Sequence, residues 1–294
     1  MFFRRKSTEE IQKELYKNTR LVVHGEAHYD SKIKPPILPL LFPLSLPDIY
    51  FPWERIREPY SDSFKTQKRL IQTKNFHIAL FESIPTFSED YFHDNLRTAL
   101  TQVLTYFGPH KQQFLENYQE LLSRLHLSQM PTQATVFYDV LYKILRSGDI
   151  SLIETLDKRL MRDLFQEKFE RRIKDIKAHP QRGVIMKMLE NKGVRVYGIK
   201  DLGDWLLADI FWIYAYEINP EFAHTRCWEE FMYAHQERNF VRNTKINIWL
   251  FYQQTKKKKI RGLEIVGFRH TEGLIKGLIK EGFNQKNITA IREV

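Results

Sequence analysis

Short apolar runs recur along the chain, separated by long segments with helical spacing of apolar residues. Four such runs stand out: Leu21–Val23, His77–Phe81, Val194–Gly198 and Leu263–Gly267. Runs of this length and composition, bounded by helical patterns, predict buried strands of a parallel sheet. Ile288–Ile291 is a candidate last strand. We therefore expect an α/β protein with a mainly parallel central sheet flanked by helices.

The segment between the second and third runs has a different pattern. From Ser88 to Asn191 apolar residues follow helical spacing, and no strand-like run interrupts them. We expect residues 88–191 to form a large all-helical insertion, or cap, between strands 2 and 3. Residues 1–87 and 192–294 would then form a discontinuous α/β core. Ser7, with Glu10 three residues later, predicts a capping box at the first helix.

Chemically versatile side chains follow the predicted strands. They are Glu26 and His28 after the first strand, Glu82 after the second, Asp201 after the third and His270 after the fourth. Parallel strands all point the same way, and ligands of open α/β sheets bind in the crevice at the carboxyl edge. These residues are therefore expected to converge on one cleft.

Carboxylate and imidazole groups together support two kinds of chemistry. A neutral imidazole beside a carboxylate can act as a general base, or both groups can ligate a divalent metal. Glu26, His28, Glu82 and His270 are our candidate catalytic residues and also our candidate metal ligands. Each has a structural alternative, since Glu26, Glu82 and Asp201 can cap a helix and a lone histidine is often a hydrogen-bonded polar residue.

The composition predicts a folded chain without disulfide bonds. Of the 294 residues 43% are hydrophobic, and the single cysteine, Cys227, cannot form an internal bridge. The formal net charge of +10 permits binding of anions. Because the basic residues are spread along the chain, we find no strong signal for nucleic-acid binding.

Two segments bear on membranes and targeting. Met1–Lys6 is basic but is not followed by an apolar core, so it is not a secretory signal, and we expect a cytoplasmic location. The apolar stretch Pro35–Phe51 contains five prolines, which oppose a continuous helix. We interpret the proline-rich residues 34–53 as a loop or hydrophobic flap rather than a membrane span.

Familiar catalytic signatures are absent from the sequence. There is no G-x-S-x-G elbow, no H-E-x-x-H helix, no Walker loop and no G-x-G-x-x-G turn. These absences argue against a serine hydrolase, a zincin, a P-loop enzyme and a dinucleotide-binding fold. The chemistry that these absences leave open is acid–base or metal-assisted catalysis by glutamate and histidine.

Four short motifs occur in an order known from one superfamily. They are Gly25-Glu26-Ala27-His28, Phe81-Glu82, Arg238-Asn239 and the G-x-x-H-x-x-G segment Gly267–Gly273. This order resembles the superfamily of erythromycin esterases, ChaN-type haem-binding lipoproteins, and TraB/PrgY and Tiki proteins. The resemblance implies a hydrolase of an ester or amide bond in a small-molecule or peptide substrate. It also implies that Arg238, with Asn239, stabilises oxyanion charge.

The same resemblance leaves two other functions open. One is a non-catalytic protein that binds haem or a small anion, with the histidines as axial ligands. The other is an effector or interaction protein whose cleft is vestigial. A divalent metal, or haem in the first alternative, is the cofactor to be considered.

Overall fold

The computed structural model describes residues 6–26, 60–107, 132–178, 180–201 and 226–292. It contains a five-stranded sheet in which every pairing is parallel and the strand order is β3-β2-β4-β1-β5. The strands are β1 Arg20–Glu26, β2 Ile78–Thr86, β3 Arg195–Asp201, β4 Arg261–Gly267 and β5 Ile288–Arg292. The α/β prediction with a parallel sheet is confirmed.

Helices surround the sheet. They are α1 Thr8–Asn18, α2 Tyr60–Thr73, α3 Phe92–Phe107, α4 Thr132–Ser147, α5 Lys158–Ala178, α6 Pro180–Asn191, α7 Arg226–Thr255 and α8 Thr271–Lys280. Short 3₁₀ turns cover Ile150–Thr155, Phe268–His270 and Gln285–Asn287. The predicted capping box is present, since Ser7 Oγ accepts the Glu10 N–H at 3.2 Å and Glu10 Oε2 accepts the Ser7 N–H at 2.8 Å.

Successive strand residues point to opposite faces of the sheet, and this alternation creates two cores. Leu21 and Val23 pack with residues of α1, α7 and α8. Val22, between them, packs with residues of α2, α5 and α6. Because both faces are covered, the strands are apolar along most of their length.

The described part of the predicted insertion is helical. It comprises α3 to α6 and a 3₁₀ turn, while residues 108–131 lie outside the described ranges. Its last helix, α6, packs directly on the sheet through Ile185, Met186 and Leu189, all of them buried. This helix therefore covers one face of the α/β core.

Among the helices that the structure describes, none combines the length and the apolar character that a bilayer span requires. The proline-rich residues 34–53 lie outside the described part of the chain.

Candidate functional site

The carboxyl edge of the sheet gathers acidic groups and one imidazole. β1 ends at Glu26, β3 ends at Asp201, and β4 ends at Gly267, where a 3₁₀ turn leads to His270. Glu82 lies within β2, where the pairing of β2 with β3 shifts register between Phe81 and Pro85. The four described side chains that follow the predicted strands therefore start from this edge, as expected. His28 lies outside the described residues.

His270 is a buried imidazole at this edge. Its side chain is 6% exposed. Nε2 lies 3.8 Å from Glu82 Oε1, and Nδ1 lies 3.7 Å from Glu237 Oε1. These distances are longer than hydrogen bonds but suit charge attraction once the ring is protonated. The imidazole is thus placed between two carboxylates, one at each nitrogen.

Aromatic rings hold the imidazole in this orientation. Tyr233 and Phe240 meet the His270 ring edge-on, with centroid distances of 4.9 and 5.2 Å. Tyr233, Glu237 and Phe240 are spaced four and then three residues apart on α7, so they share one helix face. A single face of α7 therefore supplies one carboxylate and two ring contacts to the histidine.

Glu82 is anchored by the backbone of the neighbouring strand. The Gly267 N–H donates to Glu82 Oε2 at 2.6 Å. This bond forms beyond the last pair of β2 and β4, Phe81 with Ile265. One carboxylate oxygen thus accepts a hydrogen bond from the end of β4, while the other faces His270.

Glu237 was not among the residues selected from the sequence. Its carboxylate lies against the first turn of α8, where a Cβ added at Gly273 would collide with Glu237 Oε2. Glycine at position 273 therefore leaves the space that the Glu237 carboxylate occupies. The amino end of α8 also favours a negative charge at this place. In the sequence, the only pointers were its position before Arg238 and the glycine three residues after His270.

Glu26 has a different environment. Its side chain is 9% exposed, and Arg182 Nη2 donates to Glu26 Oε1 at 2.9 Å. Arg182 belongs to α6, on the sheet face opposite to α7, which carries Glu237. Among the described residues, Glu26 makes no ion pair with His270. In the described part of the edge, this glutamate–arginine pair is therefore separate from the histidine between two carboxylates.

Three polar residues of α7 lie in different environments. Arg238 is exposed, and Asn239 is 4% exposed with its Nδ2 3.2 Å from His235 Nε2. Arg242 is the α7 cation that meets the edge directly, because its Nη2 lies 3.4 Å from Asp201 Oδ2. Asp201, only 1% exposed, is therefore a buried partner of an arginine.

A buried carboxyl lies deeper in the central strand. Glu264 is wholly buried, and Thr244 Oγ1 donates to its Oε1 at 2.6 Å. Burial raises the pKa of Glu264 to about 8, although the hydrogen bond from Thr244 opposes the shift. This carboxyl is accordingly protonated at neutral pH and belongs to the core beneath the edge.

The fit of a metal can be judged from the donor atoms. Glu82 Oε1 and His270 Nε2, 3.8 Å apart, suit two positions around a cation that holds its ligands at about 2.0–2.2 Å. Within the described ranges, no group of three His, Cys, Asp or Glu side chains forms a metal site. Further ligands would have to come from elsewhere in the chain, and His28 is the predicted candidate.

Fold and site together define the class: an α/β protein with a parallel five-stranded sheet and a carboxylate–histidine–carboxylate cluster at its carboxyl edge. Comparison of the chain with protein-family models, with curated proteins and with solved structures finds no match.

Proposed function

We propose that the protein hydrolyses an ester or amide bond of a small-molecule or peptide substrate in the cytoplasm, with His270 as the general base. The observation that carries this proposal is the placement of the imidazole between Glu237 and Glu82. A carboxylate beside one ring nitrogen orients the ring and stabilises its protonated form. The other nitrogen is then able to accept a proton.

The proposed reaction uses water as the nucleophile. Water is oriented by Glu82 Oε1 and gives a proton to His270 Nε2 as its oxygen attacks the substrate carbonyl carbon. Glu237 stabilises the resulting imidazolium. The proton then passes to the alcohol or amine that leaves, and the acyl part is released as a carboxylic acid.

Three further roles remain predictions. Arg238 is the candidate for binding the developing oxyanion, since its exposed side chain follows Glu237 directly on α7. Asn239 was predicted to assist it and is buried beside His235. Glu26 and His28 remain candidates for substrate or metal binding.

A divalent metal would serve the same hydrolysis by a different route, because a His270 Nε2 that binds a metal cannot also accept a proton. Glu82 and His270 would hold it, and His28 is the predicted further ligand. A bound divalent ion supplies a Lewis acid and lowers the pKa of water. Haem, with His270 as a predicted axial ligand, is the alternative cofactor of a non-catalytic binding protein.

The test is a panel of esters and amides assayed with the purified chain, with and without added divalent metal. His270→Gln is expected to lower kcat/KM by about 10²–10⁴-fold, the usual contribution of a general base. Glu82→Gln should also lower it, because the glutamine cannot carry the charge that faces the ring. His28→Ala tests the candidate outside the described part.

Glu272→Gln is the matched control. Glu272 is two residues from His270, is exposed and pairs with Lys276 across one helical turn. We expect this variant to keep full activity, and thermal melting should show that all the variants are folded. Unchanged turnover in His270→Gln would refute the proposal.

A further inference from the structure

The opposite edge of the sheet, where the strands begin, carries a row of basic side chains. Arg20 opens β1 and Arg261 opens β4, and the two residues are direct Cα partners. Ile78 pairs with Gly262, so His77 lies level with Arg261. The His77 N–H donates to Arg261 O at 2.7 Å, and the Arg261 N–H donates to His77 Nδ1 at 3.2 Å. Three adjoining strands thus present cationic or imidazole groups together.

The positive charges of this row lack acidic partners in the described chain. Arg20 and Arg261 are exposed, as is Lys259, two residues before β4. Within the described ranges, none of these three side chains makes a salt bridge. Like charges directly opposite on neighbouring strands destabilise a sheet. An anion bound between them would relieve this repulsion.

A cavity opens at the same place. Its volume is about 450 Å³, within the range of about 300–1,000 Å³ that is typical of small-molecule pockets. The polar lining consists of basic, imidazole and amide groups: Asn18, Arg20, His77, Lys259, Arg261 and Asn287. No carboxylate occurs in this described lining. The cavity therefore suits a ligand that is negatively charged.

We propose that this cavity binds a phosphate-bearing small molecule through Arg20 and Arg261, with Lys259 and His77 in support. Guanidinium groups present paired N–H donors that match the oxygens of phosphate. His77 Nδ1 accepts a backbone hydrogen bond, so the neutral ring carries its proton on Nε2 and can donate to the ligand.

The grouping of the charges indicates the class of ligand. Two guanidinium groups and one ammonium group around a single cavity balance a multiply charged phosphate better than a single carboxylate. A polynucleotide would instead need basic and aromatic groups that continue along a groove. We therefore expect a compound with linked phosphates rather than a nucleic acid.

His77 provides a spectroscopic reporter of binding. Burial lowers the pKa of His77, and the nearby Lys257 and Arg261 lower it further. A phosphate bound beside the ring opposes the two cations and so raises the pKa. The site lies at the other edge of the sheet from His270, and the proposal does not depend on the proposed hydrolase activity.

Calorimetric titration of the full chain with inorganic pyrophosphate at constant ionic strength tests the proposal. We expect saturable binding at one site. Arg20→Gln combined with Arg261→Gln should weaken binding by at least about tenfold, because two charged donors are lost. The matched control combines Arg69→Gln with Arg159→Gln, which removes the same charge from exposed positions on α2 and α5. This control should bind as the wild type does.

NMR titration of the His77 ring gives a second readout that requires no variant. Its pKa should rise when pyrophosphate is added to the wild-type chain. An unchanged His77 pKa, an absence of saturable binding, or equal weakening in the two double variants would overturn the proposal. Tight binding of a single-stranded oligonucleotide that pyrophosphate does not displace would also overturn it.

Discussion

Replacing Glu264 with glutamine tests the consequences of burying a carboxyl in β4. Burial raises the pKa of this group from 4.5 to about 8. Between these values the folded chain keeps a proton that the unfolded chain releases. The free energy of unfolding of the wild type therefore falls as pH rises through this window, by at most about 1.4 kcal/mol per pH unit.

The expected magnitude follows from that slope. Between pH 5 and pH 7 the loss of stability due to Glu264 should reach about 2–3 kcal/mol. Glutamine keeps an oxygen for the Thr244 hydroxyl and has no charge to gain. Its amide group would replace Glu264 Oε2, which has no hydrogen-bond partner in the described part of the chain. Any free-energy cost of burying that amide is independent of pH. Only the change of the stability difference with pH therefore tests the prediction.

Urea denaturation at a series of pH values measures this effect. The free energy of the wild type minus that of Glu264→Gln should decrease from pH 5 to pH 8 and level off above the folded pKa. Glu89→Gln, which changes an exposed glutamate, should follow the wild type throughout. A difference curve that stays flat across this range would show that burial does not hold Glu264 protonated, and would refute the reasoning.

Three other substitutions have clear expectations. Gly273→Ala displaces the flexible Glu237 carboxylate, so kcat should fall about 10–100-fold while the melting temperature stays close to wild type; retained activity would contradict the role of Glu237. Arg182→Gln leaves the buried Glu26 without its partner and should cost about 1–3 kcal/mol in urea denaturation, with part of this recovered in the double variant that also carries Glu26→Gln. Ser7→Ala removes the first helix cap and should cost about 1 kcal/mol by the same measurement; an unchanged midpoint would contradict this value.

Several features could be predicted from the sequence because they depend on local physics. The strands of the sheet follow from short apolar runs, and the cap at Ser7 follows from a side-chain oxygen three residues from a glutamate. The end of α6 follows from Gly193, whose φ of 65° suits glycine. Parallel strands place Glu82 and His270 at the same edge of the sheet. The continuous apolar runs in the sequence already indicated parallel strands that are buried on both faces.

Other features depend on which helices pack against each face of the sheet, and the local sequence does not encode this packing. Glu237, Arg238 and Asn239 are consecutive, but neighbouring helical residues point about 100° apart, so Glu237 contacts His270 while Arg238 is exposed. Once α6 covers the sheet face opposite α7, Glu26 pairs with Arg182.

The basic row at the other edge also arises only in the folded chain. Arg20 and Arg261 are 241 positions apart in sequence and become neighbours because β1 and β4 are adjacent in register. Local sequence specifies the helices and strands and the side chains that each carries to an edge of the sheet. Folding brings distant side chains together, because contacts between distant residues depend on strand order, register and helix orientation.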